Sequence, residues 1–553
     1  MKGKDMIVNI YGAGSYAERY LPILKENYLI DYIIDRDRKK QGTMICEIPI
    51  VAPSKENVNK NPIVILLNDI ESGYKTLQEF SCQQSVYGIL RYAGGIGLYR
   101  YGFRSDIKQT LDGAMYIQNT ESDFTQTLVQ YTNQKYLPEK RRYFNIASFP
   151  NFDNPGGPCA CLRNLYLANE QYKTIDNFFT ICPGKAFIPE GAASCNSYTK
   201  TNKIDNKICE KICESISGSL TQISIETLKL YFRLNSVQEF LRRADEKFLF
   251  QDTDVFLLQD FWIAQAFMYQ FPEFRKAIVV SHTQGSFRNE KTASELSEIW
   301  DVMQAEQLRT FKTWIFPSNG AKEGFLKTAS DEMRLLSKQC QLQIAYNGYE
   351  SKERLAADKS FLSELEEITE GTDVIFASAT FLYKNKGVER IPEILANFKK
   401  QTNLQIKWIL IGSGEMEEEV RKSIEEHLDE KDYFWYKKRF DNQDNVFALF
   451  SKADFYIMMH KVSVFDLSTL QAMAYGCIPV LSKVGGNLEL CGFDNGILVE
   501  EGESNMDIDK YYENFTWNQQ FLEKQKEKNK KIVLEKFNNQ KFLMGYRKHL
   551  YQM

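Results

Sequence analysis

The sequence predicts an α/β protein with three Rossmann-like domains, because one local pattern begins at three places along the chain. Apolar strands followed by helical stretches start at Met6, at Arg142 and at Asp373. Strands that alternate with helices in this way form mostly parallel sheets covered by helices. The length of 553 residues also favours several domains, since single hydrophobic cores rarely grow beyond about 250–300 residues.

The composition is that of an ordinary globular protein, with 43% hydrophobic and 26% charged residues. The net charge of −4, from 69 basic and 73 acidic residues, argues against a nucleic-acid partner. No run of about 18 apolar residues occurs, and Met1–Asp5 leads directly into a strand, so neither a membrane span nor a signal peptide is expected. These features predict a cytoplasmic location.

The cysteines and histidines offer little material for a metal site. Eleven cysteines are scattered along the chain, and the closest pairs, Cys159/Cys161 and Cys209/Cys213, lack the second matched pair that a zinc site requires. Only four histidines occur. We therefore predict free thiols and no bound metal.

The first strand, residues 6–11, leads into Gly12-Ala13-Gly14 and a helix. The next strand ends in Asp35, about twenty residues beyond the first glycine, where a dinucleotide-binding fold places its ribose-binding acid. Gly12, Gly14 and Asp35 are thus a candidate nucleotide site. However, any tight strand-to-helix crossover uses such glycines, and the basic segment 36–42 lies where an adenosine would sit, so both interpretations remain open.

This N-terminal segment is similar to the small Rossmann-like modules of sugar acyltransferases and bacterial polysaccharide-synthesis proteins. In many of these modules the nucleotide site is vestigial. The whole chain is then divided into an N-terminal module at 1–104, a helical connector at 105–140, two α/β domains at 141–350 and 351–518, and C-terminal helices at 519–553 that pack back on the two domains.

The domain at 141–350 contains a glycine loop with Gly156 and Gly157, a strand followed by His282, and a strand followed by Pro317-Ser318. Glycines before a helix let the backbone approach an anion. The order of these features resembles the N-terminal half of the retaining glycosyltransferases of family four. The resemblance implies that His282 contacts the donor sugar or the acceptor.

The domain at 351–518 carries the most extensive similarity. Lys386-Gly387 opens a helical turn, Gly412-Ser413-Gly414 follows a strand, and residues 463–480 are similar, without a gap, to the family-four signature. Gly485-Gly486 and Glu489 match the closing glycine pair and acid of that family. The resemblance implies a GT-B pair of domains with a nucleotide sugar bound in the cleft between them.

The helix after Phe465 is expected to point its first N–H groups at the donor diphosphate, together with the Lys386 ammonium. Gln471 would bond the ribose, and His460 or Ser463 would contact the sugar or a phosphate. The resemblance thus gives Lys386, His282 and His460 as catalytic candidates, and as donor-binding candidates Gly156, Gly157, Gly412, Gly414, Ser463, Phe465, Asp466, Leu467, Ser468, Gln471 and Glu489.

The chain also departs from the family pattern. The two signature glutamates, eight positions apart, are replaced by Ser463 and Gln471, and the arginine expected near 380–382 is missing. Asp466 replaces a common glycine, and its carboxylate would repel a phosphate unless it caps the helix. Either a variant enzyme remains, in which helix and lysine stabilise the leaving group, or the chain is a noncatalytic carbohydrate-binding or scaffolding partner of another transferase.

The resemblance implies a retaining, metal-independent transferase that needs no cofactor and uses a UDP- or GDP-sugar as substrate. The acceptor would be a glycan or lipid-linked saccharide in the synthesis of a bacterial surface polysaccharide such as a capsule. Association with the inner face of the membrane or with other polysaccharide-synthesis enzymes is compatible with this role. A more distant alternative, based on Gly12, Gly14 and Asp35, is an NAD-dependent sugar-modifying enzyme.

Overall fold

The structure of the chain is a computed structural model. It describes residues 6–67, 70–92, 95–100, 115–118, 128–148, 157–183, 185–192, 225–274, 276–283, 285–290, 297–437, 440–513 and 516–553.

In the described residues, the N-terminal module is an eight-stranded sheet with two α-helices. The strand order is β3-β4-β2-β1-β5-β6-β7-β8, in which β4, β2, β1, β5 and β6 are parallel, β3 is antiparallel to β4, and β7 is antiparallel to both β6 and β8. The elements are β1 (Ile7–Tyr11), α1 (Ser15–Lys25), β2 (Leu29–Ile34), β3 (Met44–Ile45), β4 (Ile48–Val51), β5 (Ile63–Ile65), α2 (Ile70–Glu79), β6 (Val86–Tyr92), β7 (Gly95–Arg100) and β8 (Met115–Gln118).

The central domain contains a second eight-stranded sheet, in the order β16-β15-β14-β13-β10-β11-β12-β9. Six strands are parallel, and the edge strands β12 and β9 run in the opposite direction. Its elements are β9 (Leu128–Lys135), β10 (Tyr143–Ile146), α3 (Gly157–Tyr172), β11 (Phe178–Cys182), β12 (Lys185–Glu190), α4 (Ile225–Phe248), β13 (Val255–Leu258), α5 (Phe261–Gln270), β14 (Ala277–Val280), α6 (Phe287–Glu290), α7 (Ser297–Thr310), β15 (Thr313–Phe316), α8 (Asn319–Thr328), α9 (Asp331–Ser337) and β16 (Gln341–Ile344).

The segment predicted as a helical connector, 105–140, differs from that expectation wherever it is described. Strand β8 joins the N-terminal sheet, and β9 joins the edge of the central sheet beside β12. The sequence of β9, LVQYTNQK, contains β-branched and aromatic residues, and pairing with β12 satisfies its backbone polar groups. Cross-strand pairing therefore outweighs the polar composition that suggested a helix. Residues 105–114 and 119–127 lie outside the described part.

The C-terminal domain is built on a six-stranded, fully parallel sheet in the order β19-β18-β17-β20-β21-β22. Strands such as IKWILI and IPVLS are nearly all apolar, because helices cover both faces. Its elements are α10 (Lys359–Ile368), β17 (Val374–Ala379), α11 (Ile391–Thr402), β18 (Ile406–Ile411), α12 (Glu417–His427), β19 (Tyr433–Tyr436), α13 (Gln443–Lys452), β20 (Phe455–Met458), α14 (Leu467–Ala474), β21 (Ile478–Ser482), α15 (Asn487–Leu490), β22 (Ile497–Val499), β23 (Tyr512–Glu513) and β24 (Thr516–Trp517).

The chain ends in two helices that pack on different domains. The first, α16 (Gln519–Lys536), lies on the C-terminal domain, where Lys526 Nζ is 3.3 Å from Asp454 Oδ1. The second, α17 (Asn539–Leu550), inserts Phe542 and Tyr546 into the core of the central domain. The last helix therefore belongs to the central domain in space, although it follows the C-terminal domain in sequence.

Three further properties of the described residues concern membrane spans, metal sites and thiols. None of the helices in the described ranges combines the length and apolarity needed to cross a bilayer. Within the same ranges, no cluster of three or more His, Cys, Asp or Glu side chains is suitable for a metal ion. The described cysteines are free thiols: Cys46, Cys82, Cys159, Cys161, Cys182, Cys340, Cys477 and Cys491.

Candidate functional site

A cleft with a volume of about 250 Å³ lies between the central and C-terminal domains. Its walls come from residues that follow parallel strands or begin helices, which is where α/β sheets bind ligands. The predicted site residues in its lining are Gly157 and His282 from the central domain and Lys386, His460, Ser463, Phe465, Asp466 and Leu467 from the C-terminal domain.

Helix α14 begins at this cleft. Asp466 is its N-cap, and one carboxylate oxygen accepts hydrogen bonds of 2.8 Å from the backbone N–H and the hydroxyl of Thr469. Among the hydrogen bonds of the described residues, none is donated by the backbone N–H of Leu467 or Ser468. The first turn of α14 therefore keeps two donors available for an anion, although its cap is already a carboxylate.

Asp466 is also the centre of the charge distribution in the cleft. Its Oδ1 lies 3.7 Å from Lys386 Nζ and 3.5 Å from His460 Nε2. Burial alone would raise the pKa of the Asp466 carboxyl, but His460, Lys386 and the hydrogen bond from Thr469 hold that pKa well below its usual range. The carboxylate is therefore ionised at neutral pH, and it compensates the positive charge of Lys386.

The loop that carries Lys386 is held by a close backbone approach. Gly387 has φ +63°, and a Cβ at this position would lie 1.8 Å from the carbonyl oxygen of Met459. The N–H of Lys461 donates to the carbonyl of Asn385 at 2.9 Å. Only glycine fits here, both in conformation and in space, and this contact places Lys386 beside His460.

Two buried polar side chains in the cleft have no hydrogen-bond partner within the described residues. Ser463 is 3% exposed and its hydroxyl is unpaired, and the ring of His460, which is 2% exposed, has only the 3.5 Å contact of its Nε2 with Asp466. Buried polar groups are nearly always paired with protein, water or a ligand. These atoms therefore mark a place where a polar ligand or ordered water completes the site.

His282 forms part of the opposite wall. It follows β14, and its Nε2 is 2.9 Å from Oε1 of the buried Gln259. Burial lowers the pKa of His282 to about 4. The imidazole is therefore neutral at physiological pH, which leaves Lys386 as the charged partner for a phosphate.

Other predicted donor-binding residues lie outside the cavity lining. A Cβ at Gly412 would lie 2.0 Å from the carbonyl oxygen of Thr380, so this glycine turn packs against the segment that precedes Lys386. Ser468 and Gln471 are half-buried on α14, and Gly414 packs against Leu382. Gly156 lies outside the described residues.

Glu489 makes a contact between domains. Its two carboxylate oxygens accept hydrogen bonds from the backbone N–H groups of Asn319 (3.0 Å) and Gly320 (2.8 Å), at the start of α8 in the central domain. The hydroxyl of Ser318 caps the same helix and also donates to the carbonyl of Val464. The sequence reasoning missed this contact, although Ser-Asn-Gly before a helical stretch is a recognisable N-cap signal.

The glycine turn of the N-terminal module is stabilised by its own acid. Asp35 Oδ2 accepts a 2.6 Å hydrogen bond from Ala13 N–H, and Oδ1 accepts one of 2.8 Å from Asp37 N–H. A Cβ at Gly12, where φ is +104°, would lie 2.6 Å from a Leu67 methyl. Both oxygens of Asp35 thus have local partners, and nucleotide binding at Gly12, Gly14 and Asp35 stays a prediction.

Comparisons with known proteins agree with this geometry. Residues 359–532 match the model of the family described as glycosyl transferases group 1. A glycogen synthase of Lacticaseibacillus casei is 27% identical over 147 residues, which are 26% of this chain and 29% of that protein. The chain thus spans less than a third of the length of this curated relative.

Solved structures are similar over a longer part of the chain. A sucrose-phosphate synthase from Thermosynechococcus elongatus aligns with a TM-score of 0.53 at 16% identity, covering 74% of this chain and 99% of that one. A trehalose-6-phosphate protein from E. coli, bound with UDP-2-fluoro glucose, aligns with a TM-score of 0.53 at 12% identity and covers the same shares. The aligned three-quarters of the chain therefore has the GT-B fold of these structures.

Proposed function

We propose that this chain is a glycosyltransferase that moves a sugar from a nucleotide-sugar donor to an acceptor bound on the other side of the cleft. The observation that carries the proposal is the convergence of an ammonium, two N–H groups without protein acceptors and unpaired buried polar atoms on one cavity. A helix N-terminus with a nearby lysine suits a diphosphate. Side chains that still lack partners suit sugar hydroxyls.

The donor is a UDP- or GDP-sugar, and no cofactor is required. The E. coli relative with UDP-2-fluoro glucose has the same fold, and the family match covers the domain that carries Lys386 and α14. In this assignment Lys386 and the first turn of α14 stabilise the leaving diphosphate without a metal ion, as preorganised dipoles and charges do in other transferases. His460 and Ser463 contact the sugar or a phosphate, Gln471 bonds the ribose, and the stereochemistry is retaining.

The acceptor is a glycan or a lipid-linked saccharide, and the product belongs to a bacterial surface polysaccharide. Support for a saccharide acceptor comes from the similarity to glycogen synthase over 147 residues. In this role the chain would work beside other polysaccharide-synthesis enzymes, at the inner face of the membrane where lipid-linked acceptors are found.

A second function, favoured by Asp466, is a noncatalytic carbohydrate-binding or scaffolding partner of another transferase. The Asp466 carboxylate caps α14 and pairs with Lys386, so the anion position already holds a negative charge. Ser463 and Gln471 stand where the family has glutamates. In this case the cleft would bind a saccharide without turning over a nucleotide sugar.

The decisive experiment is calorimetry and thermal unfolding with UDP and GDP, followed by release of free nucleotide from a panel of UDP- and GDP-sugars. A transferase binds the nucleotide and releases it from one sugar in the presence of acceptor. Binding without turnover favours the partner function, and no binding of either diphosphate refutes the donor site.

Two lysines of one short turn provide a matched pair of variants. Lys386→Ala should abolish protection by the diphosphate, because Lys386 lines the cleft. Lys384→Ala should leave protection unchanged, since Lys384 is exposed and outside the lining. Equal effects of the two substitutions would mean that the diphosphate binds elsewhere. Titration with reduced nicotinamide cofactor, followed by its fluorescence, separately tests the N-terminal module.

A further inference from the structure

A row of buried polar side chains lies behind His282, inside the central domain. Asn145 and Thr180 have no exposed surface, and Gln259 is 1% exposed. Asn145 Nδ2 donates to Thr180 Oγ1 at 3.3 Å, Gln259 Nε2 donates to Asn145 Oδ1 at 2.7 Å, and Gln259 Oε1 is 2.9 Å from His282 Nε2. The row therefore runs from the middle of the sheet to the wall of the cleft.

The direction of these hydrogen bonds fixes where the imidazole proton lies. Asn145 Nδ2 donates to the Thr180 hydroxyl, so the Asn145 oxygen faces Gln259; this oxygen can only accept, and the atom of Gln259 that faces it is the amide nitrogen. The amide oxygen of Gln259 then faces His282, and this oxygen also can only accept. A 2.9 Å contact between this oxygen and His282 Nε2 requires a proton on Nε2.

We propose that Gln259, oriented by Asn145, is a positioning residue. Its amide oxygen accepts a hydrogen bond from Nε2–H of His282 and so keeps the Nε2 proton directed into the protein interior. His282 then stands in the cleft wall as a neutral imidazole with a fixed ring orientation. A sugar hydroxyl that bonds to the remaining ring nitrogen would donate its proton to Nδ1. His282 therefore orients a ligand but does not deliver a proton to the leaving group.

The surroundings of the ring agree with this assignment. Burial lowers the pKa of His282 to about 4, so the ring stays neutral in the range where the protein would work. The charged and titratable groups across the cavity are Lys386, Asp466 and His460, and the first two compensate each other at 3.7 Å. A carboxylate at the position of Gln259 would favour a charged imidazolium. The neutral glutamine amide instead leaves the His282 ring uncharged and fixes its tautomer.

The tautomer can be measured directly by NMR of protein labelled with ¹⁵N-histidine, without any donor. The chain has four histidines, and His282→Asn identifies the signals of His282 by their loss. At pH 7 the wild-type protein should show a protonated Nε2 and an unprotonated Nδ1. A protonated Nδ1 in the wild-type protein would overturn the proposal, and this spectrum decides by itself if a variant does not fold.

Three variants separate positioning from a general structural effect. Gln259→Leu should distribute the proton over both ring nitrogens, whereas Gln259→Glu, which keeps an oxygen acceptor, should keep Nε2 protonated. Gln307→Leu is the matched control, because Gln307 is equally buried and bonds Phe261 O and Gln265 Oε1 instead. The control should lose stability but leave His282 unchanged. An unchanged tautomer in folded Gln259→Leu would overturn the proposal.

The inference rests on the proposed function only for its catalytic meaning. If UDP and GDP fail to bind but the ring is an Nε2–H tautomer, the donor assignment fails and the positioning role of Gln259 stands. If a nucleotide sugar is turned over, the KM for the donor should be at least tenfold higher in Gln259→Leu than in Gln307→Leu. Equal KM values for these two variants would exclude a role of Gln259 in orienting the ligand.

Discussion

Replacing Asp466 by asparagine should make the cleft bind a nucleoside diphosphate more tightly while it makes the fold less stable. Asparagine is as good an N-cap as aspartate, so α14 keeps its start. The substitution removes one negative charge, which lies 3.7 Å from the Lys386 ammonium. A diphosphate that reaches Lys386 in the wild-type protein must approach this carboxylate.

The size of the effect follows from Coulomb's law. A phosphate charge in contact with Lys386 comes within about 5 Å of the Asp466 carboxylate, and two like charges at about 5 Å repel by about 3 kcal/mol at an effective dielectric constant of about 20. If water and salt screen about half of this repulsion, about 1.5 kcal/mol remains, which is about a tenfold gain in affinity. The gain should shrink as the salt concentration rises.

The stability should change in the opposite direction. The pKa of Asp466 is lowered in the folded protein, so the ionised carboxylate stabilises the fold at pH values above its unfolded pKa of about 4. Asparagine loses the attraction to Lys386 and to the helix dipole, and the free energy of unfolding should fall by about 1 kcal/mol.

Calorimetry with UDP and GDP measures the affinity, and chemical denaturation measures the stability. The matched control is Asp429→Asn, because Asp429 also caps a helical turn beside a lysine, 3.0 Å from Lys399, but lies outside the cleft lining. The control should leave the affinity unchanged. An unchanged or weaker affinity of Asp466→Asn would refute the idea that the diphosphate and this carboxylate share one place.

Three further outcomes are expected. Chemical denaturation should show that Gly387→Ala lowers the free energy of unfolding several times more than Gly371→Ala does. The backbone φ is positive at both glycines (+63° and +70°), which costs an alanine about 1 kcal/mol at either position, but only at Gly387 would the new Cβ meet a backbone oxygen, at 1.8 Å. Equal losses in the two variants would contradict this. Glu489→Ala should speed amide exchange at the two N–H groups that Glu489 caps on α8, whereas Glu489→Gln, which has a single acceptor oxygen, should restore protection at only one of them; exchange that is equally slow in the alanine variant would argue against the cap. Burial lowers the pKa of His282 from 6.5 to about 4. As the pH falls, the His282 ring therefore binds a proton in the unfolded chain before it does so in the folded protein, and the free energy of unfolding should drop by up to about 3 kcal/mol between pH 6.5 and 4. His282→Asn should remove that part of the pH dependence, as measured by denaturant unfolding at pH 7 and 4.5; equal slopes would show that the ring is protonated in the folded protein.

The sequence predicted the three α/β domains well because strand, turn and helix signals are local. The strand at 7–11 with its glycine turn, and the run from the strand at 455–458 through α14 to the strand at 478–482, occur where the patterns placed them. Within the segment at 105–140, the described residues of β9 are a strand and not the predicted helix, because β9 is defined by its partner, β12, which lies about fifty residues further along the chain.

The sequence predicted which residues form the site but not the contacts between them. The resemblance gave Lys386, His460 and Asp466 as candidates, yet no pattern in the sequence states that the three side chains meet within 4 Å. The bond of Glu489 to helix α8 joins residues that are 170 positions apart. Such contacts depend on how the domains face each other, which periodicity and local motifs do not encode.

The route of the chain limits how the cleft can open. The backbone passes from the central to the C-terminal domain near Tyr349 and returns near Phe537, and the Tyr349 N–H donates to the Phe537 carbonyl at 2.8 Å. The crossings are so close that a Cβ on Gly348 would lie 2.6 Å from the carbonyl oxygen of Asn538. Because the two connections lie side by side, a rotation of one domain against the other would have to take place about this point. Removing α17 would detach the second connection from the central domain.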